Sequence, residues 1–262
     1  MSKIHKILLI ISIPALISGF LWRESDGNNI GRIFEGKKTE IKIDMPAENK
    51  TEEVENEKDS VADRKEIKKI EEKISEKVLI DVPFSSQAPL GKWDAYHQEA
   101  CEETSLIMLK YYLDGKRLSP EIAEKEIQSL IAYQIKKFGE YEDSDMGELV
   151  AIAEDFYGIK NLKVIYDFEK EDLKKYLSLG RPIIIPAAGR LLGNPNFKSP
   201  GPLYHNLVLT GYEGEDIITN DPGTRKGEEY RYKADVLYDA IHDFPGNIRE
   251  IEKGRKAMII IE

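Results

Sequence analysis

The 262-residue sequence has a single cysteine, Cys101, and four histidines that show no HExxH-like spacing. A lone thiol excludes an intramolecular disulfide framework and a cysteine-rich zinc site. There is no GxxxxGK[ST] phosphate loop either, which excludes the P-loop nucleotide hydrolases. Basic residues number 38 against 48 acidic ones, and the net charge of −10 argues against nucleic acid as a partner. We therefore expect no metal ion and no cofactor.

The N-terminal segment is basic at its start and then apolar. Residues 1–22 carry Lys3 and Lys6 but no acidic residue, and they include an uncharged, mostly apolar run from Ile7 to Trp22. A helix over this run would be about 24 Å long, which is short of the roughly 30 Å hydrocarbon core of a membrane. No small-x-small cleavage site follows cleanly, so we predict a retained signal anchor, with a cleaved signal peptide as the alternative. The protein is expected to be a single-pass cell-membrane protein with its main domain outside the cytoplasm, or else to be secreted.

The next segment, residues 23–77, is dominated by charge. Its 13 basic and 16 acidic residues leave too few apolar side chains to offset the entropy of ordering the chain. We therefore interpret it as a charged linker or stalk. Residues 78–262 carry 23 basic and 32 acidic residues and show clear apolar periodicity, and they are predicted to form the working domain.

Within the working domain, helical patterns come first and strand patterns follow. Helices are predicted from Cys101 to Leu113, from Ser119 and Pro120 onward, and from Met146 to Tyr157. Helices followed by mostly antiparallel strands predict an α+β fold, with an N-terminal helical lobe followed by an antiparallel sheet. The predicted strands are 162–166, 182–187, 204–212, 216–220, 229–232 and 256–261, and further helical stretches are 169–179 and 234–242.

Cys101 is the first residue of a predicted helix. A thiol at that position lies near the positive end of the helix dipole and near unpaired N–H groups, which stabilise the thiolate. The adjacent Glu102 and Glu103 would raise the pKa of the thiol if their carboxylates turned toward it. The alternative is a buried cysteine that packs as a small hydrophobic residue. The nearby His97 is interpreted as a surface or packing residue rather than as a base for this thiol.

Three other polar residues are candidates for a site around the thiol. Gln87 lies in a polar loop without helical or strand periodicity, and its side-chain amide can donate a hydrogen bond to an oxyanion. His205 lies at the start of one predicted strand, and Asp221 follows the end of the next strand. If the loop around Gly214 has an odd number of residues, His205 lies opposite Asp221, whereas an even loop places them on opposite faces.

These four residues occur in four short motifs, in chain order. The motifs are residues 82–93 (VPFSSQAPLGKW), 98–105 (QEACEETS), 205–208 (HNLV) and 220–223 (NDPG). Together they resemble the bacteriocin-processing peptidases, the thirty-ninth family of cysteine peptidases. They are most similar to the stand-alone, peptidase-like branch of that family in exported bacterial proteins. The resemblance covers roughly residues 78–262.

The resemblance implies a papain-like fold and a role for each residue. It implies Cys101 as the nucleophile, His205 as general base and acid, Asp221 as the residue that orients the imidazole, and Gln87 as the oxyanion donor. Many family members have a glycine after the cysteine, where this chain has Glu102. The membrane and nucleotide-binding domains of transporter-linked members have no counterpart in the sequence, so the processing of double-glycine leaders is not carried over.

The sequence therefore predicts an exported hydrolase that cleaves peptide or amide bonds through a Cys-His-Asp triad and a thioester acyl-enzyme. Its expected partner is a peptide or protein substrate, and the N-terminal segment is its expected contact with a membrane. One alternative is a non-catalytic peptide-binding module of the same fold. Another is a transglutaminase-like acyl transferase, which uses the same set of residues to pass the acyl group to an amine. The substrate, the cleavage site and the oligomeric state are not predicted.

Overall fold

The computed structural model describes residues 75–262. The predicted anchor or signal, residues 1–22, and nearly all of the predicted stalk, residues 23–77, lie outside the described residues and remain predictions. In the described part of the chain, no helix combines the length and the apolar character needed to cross a membrane.

Residues 75–262 form six helices, of which the first four come before the main strands, as predicted. They are α1 (Ala95–Gln98), α2 (Cys101–Leu113), α3 (Pro120–Phe138), α4 (Met146–Tyr157), α5 (Lys170–Ser178) and α6 (Ala234–Ala240). The Ser119 hydroxyl caps α3, and Asp145 and Glu148 form a capping box at the start of α4. Helix α2 differs, because its N-cap residue Ala100 has no side-chain acceptor. The N–H groups of its first turn, where Cys101 lies, are therefore without a side-chain cap.

One antiparallel sheet is formed by a short first strand and by six strands from the second part of the domain. Its strands are β1 (Lys77–Leu79), β2 (Leu162–Tyr166), β3 (Ile183–Ala188), β4 (Tyr204–Glu213), β5 (Asp216–Asn220), β6 (Tyr230–Lys233) and β7 (Ala257–Ile261), and short 3₁₀ helices span Gly189–Leu192 and Ile248–Lys253. The strand order is β2-β7-β3-β4-β5-β6, and β1 pairs with the end of β4. The described residues thus have the predicted α+β class and the predicted order of helical lobe and sheet.

An aliphatic core joins the helices to the sheet. Leu106 and Leu109 of α2, Leu149 of α4, and Leu207 and Leu209 of β4 are all almost completely buried in one apolar cluster. Burying each such side chain contributes roughly 1.5–3 kcal/mol. Because α2 packs directly against β4, the core fixes the start of the helix near the start of the strand.

The β4–β5 hairpin settles the loop length that the sequence left open. Glu213 pairs with Asp216 across two residues, so the loop is even. An even loop alone would place His205 and Asp221 on opposite faces. A bulge between Leu209 and Gly211 shifts the register by one residue, however, so that Val208 pairs with Asn220 beyond it. In that register His205 is a diagonal neighbour of Asp221 on the same face of the sheet.

The bulge lies where β4 changes its neighbour. Residues 204–209 pair with β3, whereas residues 211–213 pair with β1. Between them, the Thr210 carbonyl accepts a hydrogen bond of 2.7 Å from the Ile80 N–H. The backbone of β1 passes so close that a Cβ atom on Gly211 would overlap the Val78 carbonyl oxygen. Glycine at this position therefore allows β1 to pair, and the pairing accompanies the change in register.

Replacing Gly211 with alanine is expected to lower the free energy of unfolding by about 1–3 kcal/mol, because the added methyl group overlaps backbone that cannot rotate away. Gly214→Asn is the matched control in the same hairpin. Gly214 has open space around it and a left-handed φ of 55°, which asparagine tolerates, so a change within about 0.5 kcal/mol is expected. Urea unfolding followed by circular dichroism measures both. Equal stability of the two variants would contradict the close approach of β1.

Candidate active site

Asp221 is a completely buried carboxylate in which both oxygens have partners. Oδ1 accepts a hydrogen bond from the Gly223 N–H at 2.9 Å and lies 2.7 Å from Nε2 of His205. Oδ2 accepts hydrogen bonds from the Tyr232 hydroxyl at 2.5 Å and from Nδ2 of Asn194 at 3.1 Å. Burial alone would raise the pKa of Asp221, but His205 and the hydrogen-bond donors outweigh burial and lower it below its ordinary value. The group is therefore ionised at neutral pH.

The ionised Asp221 fixes the tautomer of His205. Because a carboxylate only accepts hydrogen bonds, the imidazole nitrogen that faces it, Nε2, carries a proton, and Nδ1 is left as the basic nitrogen. The ring of Phe197 packs edge-on against the imidazole, with 5.3 Å between the ring centroids. A Cβ atom on Gly223 would lie only 2.9 Å from Cε1 of the imidazole. Aspartate, aromatic ring and glycine together leave His205 little freedom to reorient.

Cys101 lines the same cleft as His205, at the start of α2. Its side chain is buried, and its thiol donates a hydrogen bond to Oε2 of Glu102 at 3.0 Å. Burial and the charge of Glu102 raise the pKa of the thiol well above its ordinary value, and the N–H of Asn206 opposes them only in part. The carboxylate has thus turned toward the thiol, and in this arrangement it offsets the helix dipole.

Gln87 lies in the same cleft, but both hydrogens of its side-chain amide have acceptors in the protein. Nε2 donates to the carbonyl oxygens of His97 at 2.8 Å and Gln98 at 3.0 Å, immediately before the cysteine helix. Its backbone N–H donates to the Pro222 carbonyl at 2.9 Å, which ties this loop to the loop of Asp221. A bond to an oxyanion would have to replace one of the two carbonyl contacts. The role of Gln87 as oxyanion donor therefore stays a prediction.

The two other histidines of the domain have contacts away from the thiol. The ring nitrogens of His97 lie 2.7 Å from a carboxylate oxygen of Asp94 and 3.0 Å from one of Glu124. This buried histidine joins the α1 region to α3, as expected of a packing residue. Nδ1 of His242 bonds to the Gly254 carbonyl at 2.9 Å.

Sequence reasoning missed the two side chains that donate hydrogen bonds to Oδ2 of Asp221. Tyr232 lies in β6 and Asn194 in the loop before β4, and Nδ2 of Asn194 also donates to the Tyr232 hydroxyl at 2.8 Å. A tyrosine in a strand normally indicates packing, and an asparagine beside a proline normally indicates a turn. Only the pairing of β5 with β6 shows that they converge on one carboxylate.

The cleft that contains Cys101 and His205 has a volume of about 1440 Å³, larger than the roughly 300–1,000 Å³ of typical small-molecule sites. Residues 195–205 and 223–226 line it from the sheet side. From the helical side it is lined by Gln87, Trp93, Gln98 and Glu99. An open cleft of this size accommodates an extended segment of peptide.

Glu103, on the turn of α2 that carries the thiol, is a second buried acid. Its Oε1 accepts a hydrogen bond of 2.5 Å from Nε2 of Gln134, and burial raises its pKa to about 7. The pKa of a glutamate in the unfolded chain is about 4.3, so between about pH 4.3 and 7 the folded state binds more protons at Glu103 than the unfolded state does. The free energy of unfolding therefore falls as the pH rises from about 4.3 through 7.

The Glu103→Gln variant lacks this titration and keeps an oxygen for Gln134. We expect it to be more stable than the wild type by about 1–3 kcal/mol at pH 8, with the difference shrinking toward pH 5. Urea unfolding at the two pH values measures this. A difference that is the same at both would contradict a raised pKa at Glu103.

Comparison with known proteins agrees with this arrangement. Residues 79–244 match the Peptidase_C39 like family. The chain is similar to the crystal structure of a protein from Bacillus anthracis that is named as a C39-like peptidase, at 20% identity over 72% of this chain and 98% of that chain, with a TM-score of 0.47. It is also similar to the peptidase domain of Streptococcus ComA, a bifunctional ABC transporter involved in a quorum-sensing pathway, at 13% identity over 69% and 98% of the two chains, with a TM-score of 0.38. No curated protein matches the chain.

The predicted family and the predicted α+β class are therefore confirmed. In the described domain the cysteine lies at the start of a helix that packs on the sheet, and the histidine lies on the strand that this helix contacts. The family match spans well over half of the 262 residues. The chain belongs to the Peptidase_C39 like family.

Proposed function

We propose that this protein is a cysteine peptidase in which Cys101 attacks the carbonyl carbon of a peptide bond. The observation that supports this most strongly is the His205–Asp221 pair, which is buried and held by a full set of hydrogen bonds beside a cleft that the thiol also lines. A buried carboxylate is costly to maintain, and its placement with His205 beside a large cleft that the only thiol of the chain also lines favours catalysis over packing.

The reaction follows from the free nitrogen of His205. Nδ1 takes the proton of the Cys101 thiol as sulfur bonds to the carbonyl carbon, and the carbonyl oxygen becomes an oxyanion. The uncapped N–H groups at the start of α2 are suitable donors to that oxyanion, and Gln87 is the second proposed donor. His205 then gives its proton to the departing amine, which leaves a thioester on Cys101.

Hydrolysis completes the cycle. His205 takes a proton from water, whose oxygen attacks the thioester carbon, and the acid product leaves as the thiol regains a proton. Throughout both halves, Asp221 stays ionised and stabilises the imidazolium, because its four hydrogen-bond contacts do not change. The substrate of this reaction is a peptide or a flexible protein segment that fits an open cleft.

Substitutions at the four proposed residues are expected to have graded effects on hydrolysis of a mixture of short quenched fluorescent peptides. Cys101→Ala removes the nucleophile and should abolish cleavage. His205→Ala should reduce turnover by about a hundredfold or more, and Asp221→Asn by less, since an asparagine retains an orienting hydrogen bond. Gln87→Ala should also cost about a hundredfold if its amide reaches the oxyanion.

The control for His205→Ala is His242→Gln, which changes a histidine that bonds to a backbone carbonyl away from the cleft. It should leave turnover unchanged. Full activity of the Cys101→Ala variant would exclude the proposed nucleophile. A failure of the wild type to cleave any peptide would favour the binding module, and capture of an added amine in the product would favour acyl transfer.

A further inference from the structure

The side chain that accepts a hydrogen bond from the proposed nucleophile is an acid rather than the proposed base. The Cys101 thiol donates its hydrogen bond to Glu102, with 3.0 Å between Sγ and Oε2, and Glu102 is only 3% exposed. Neighbouring residues on a helix ordinarily point in different directions, so this contact requires the Glu102 side chain to bend back over the helix start.

In the part of the chain that the structure describes, Glu102 has no compensating cation. On α2 itself it is faced by Cys101 and Glu103, from the loop before α4 by Asp143, and from β4 by the Tyr204 ring. Within residues 75–262, no lysine, arginine or histidine forms an ion pair with it. Burial and the charge of Glu103 raise the pKa of Glu102 well above its ordinary value. The carboxyl group is thus able to exist in either protonation state near the thiol.

We propose that Glu102 is a positioning residue that holds the Cys101 thiol in a resting state, from which it must be released before it can react. This inference rests on the proposed function in taking Cys101 as the nucleophile. An ionised Glu102 opposes a thiolate only about 3 Å away, whereas a protonated or displaced Glu102 does not. On release, the thiol proton passes to Nδ1 of His205, so Glu102 restrains the thiol and takes no part in the proton transfer.

The alternative is that Glu102 is itself the base for the thiol. The two roles predict opposite signs when the charge of Glu102 is removed. If Glu102 restrains the thiol, a neutral side chain makes thiolate formation easier. If it is the base, a neutral side chain makes the thiol less reactive.

The test is the rate of alkylation of the full-length chain by iodoacetamide from pH 5 to 10, since Cys101 is its only thiol. Glu102→Gln should move the midpoint of the profile to lower pH by about 1 pH unit or more, which makes alkylation at pH 7 about tenfold faster. Glu126→Gln is the control, because it neutralises a half-buried acid on α3 that accepts hydrogen bonds from the hydroxyls of Tyr111 and Tyr157 and not from sulfur. Its rate should stay within about twofold of the wild type, well below the tenfold that one pKa unit represents.

An unchanged or slower rate in Glu102→Gln, or an equal increase in Glu126→Gln, would overturn the proposal. A second measurement needs no variant: the ultraviolet absorbance of the wild-type thiolate should appear with a midpoint above the ordinary thiol value of about 8.5. A midpoint at or below that value also overturns it. Because alkylation needs no substrate, these results are independent of peptide hydrolysis. Failure of the peptidase proposal would be seen separately, as the absence of any peptide cleavage by the wild type.

Discussion

The hydrogen bond between His205 and Asp221 is the interaction on which the rest of the site depends. A buried carboxylate is tolerated only where its oxygens are satisfied, and here four donors from separate parts of the chain converge on it. They come from strands β4 and β6, from the loop before β4 and from the turn after β5. The sheet must therefore be assembled correctly before the imidazole acquires a defined tautomer. The hydrogen bonds that satisfy the buried Asp221 therefore also orient the imidazole of His205.

The cysteine is under two opposing influences. The start of α2 lacks a side-chain cap and so leaves N–H groups and the positive end of the helix dipole near the thiol. Burial and the carboxylate of Glu102 act in the other direction and keep the thiol protonated. In the proposal made above, this arrangement is the resting state of Cys101, and reaction requires a change at Glu102. The contact between His205 and Asp221 is already formed.

Sequence reasoning located most elements and all four proposed residues, but not the geometry between them. Helix α2 begins at Cys101 as predicted, because its apolar spacing is a local property. The register of β4 and β5 was left open, because the bulge beside Gly211 coincides with pairing to β1, more than a hundred residues away in the chain. The contacts of Gln87 and Glu102 depend on side-chain direction, which no spacing reveals. Tyr232 was missed for a similar reason, since its role exists only through strand pairing.

The most direct test of the account is to look for the covalent intermediate by intact-mass spectrometry. The chain would be mixed with short peptide p-nitrophenyl esters, quenched with acid during turnover and digested to locate any added mass. The account predicts an added mass equal to the acyl part of the ester, attached to Cys101 and absent from the Cys101→Ala variant. Turnover of the esters with no adduct on Cys101, or an adduct on another residue, would contradict it.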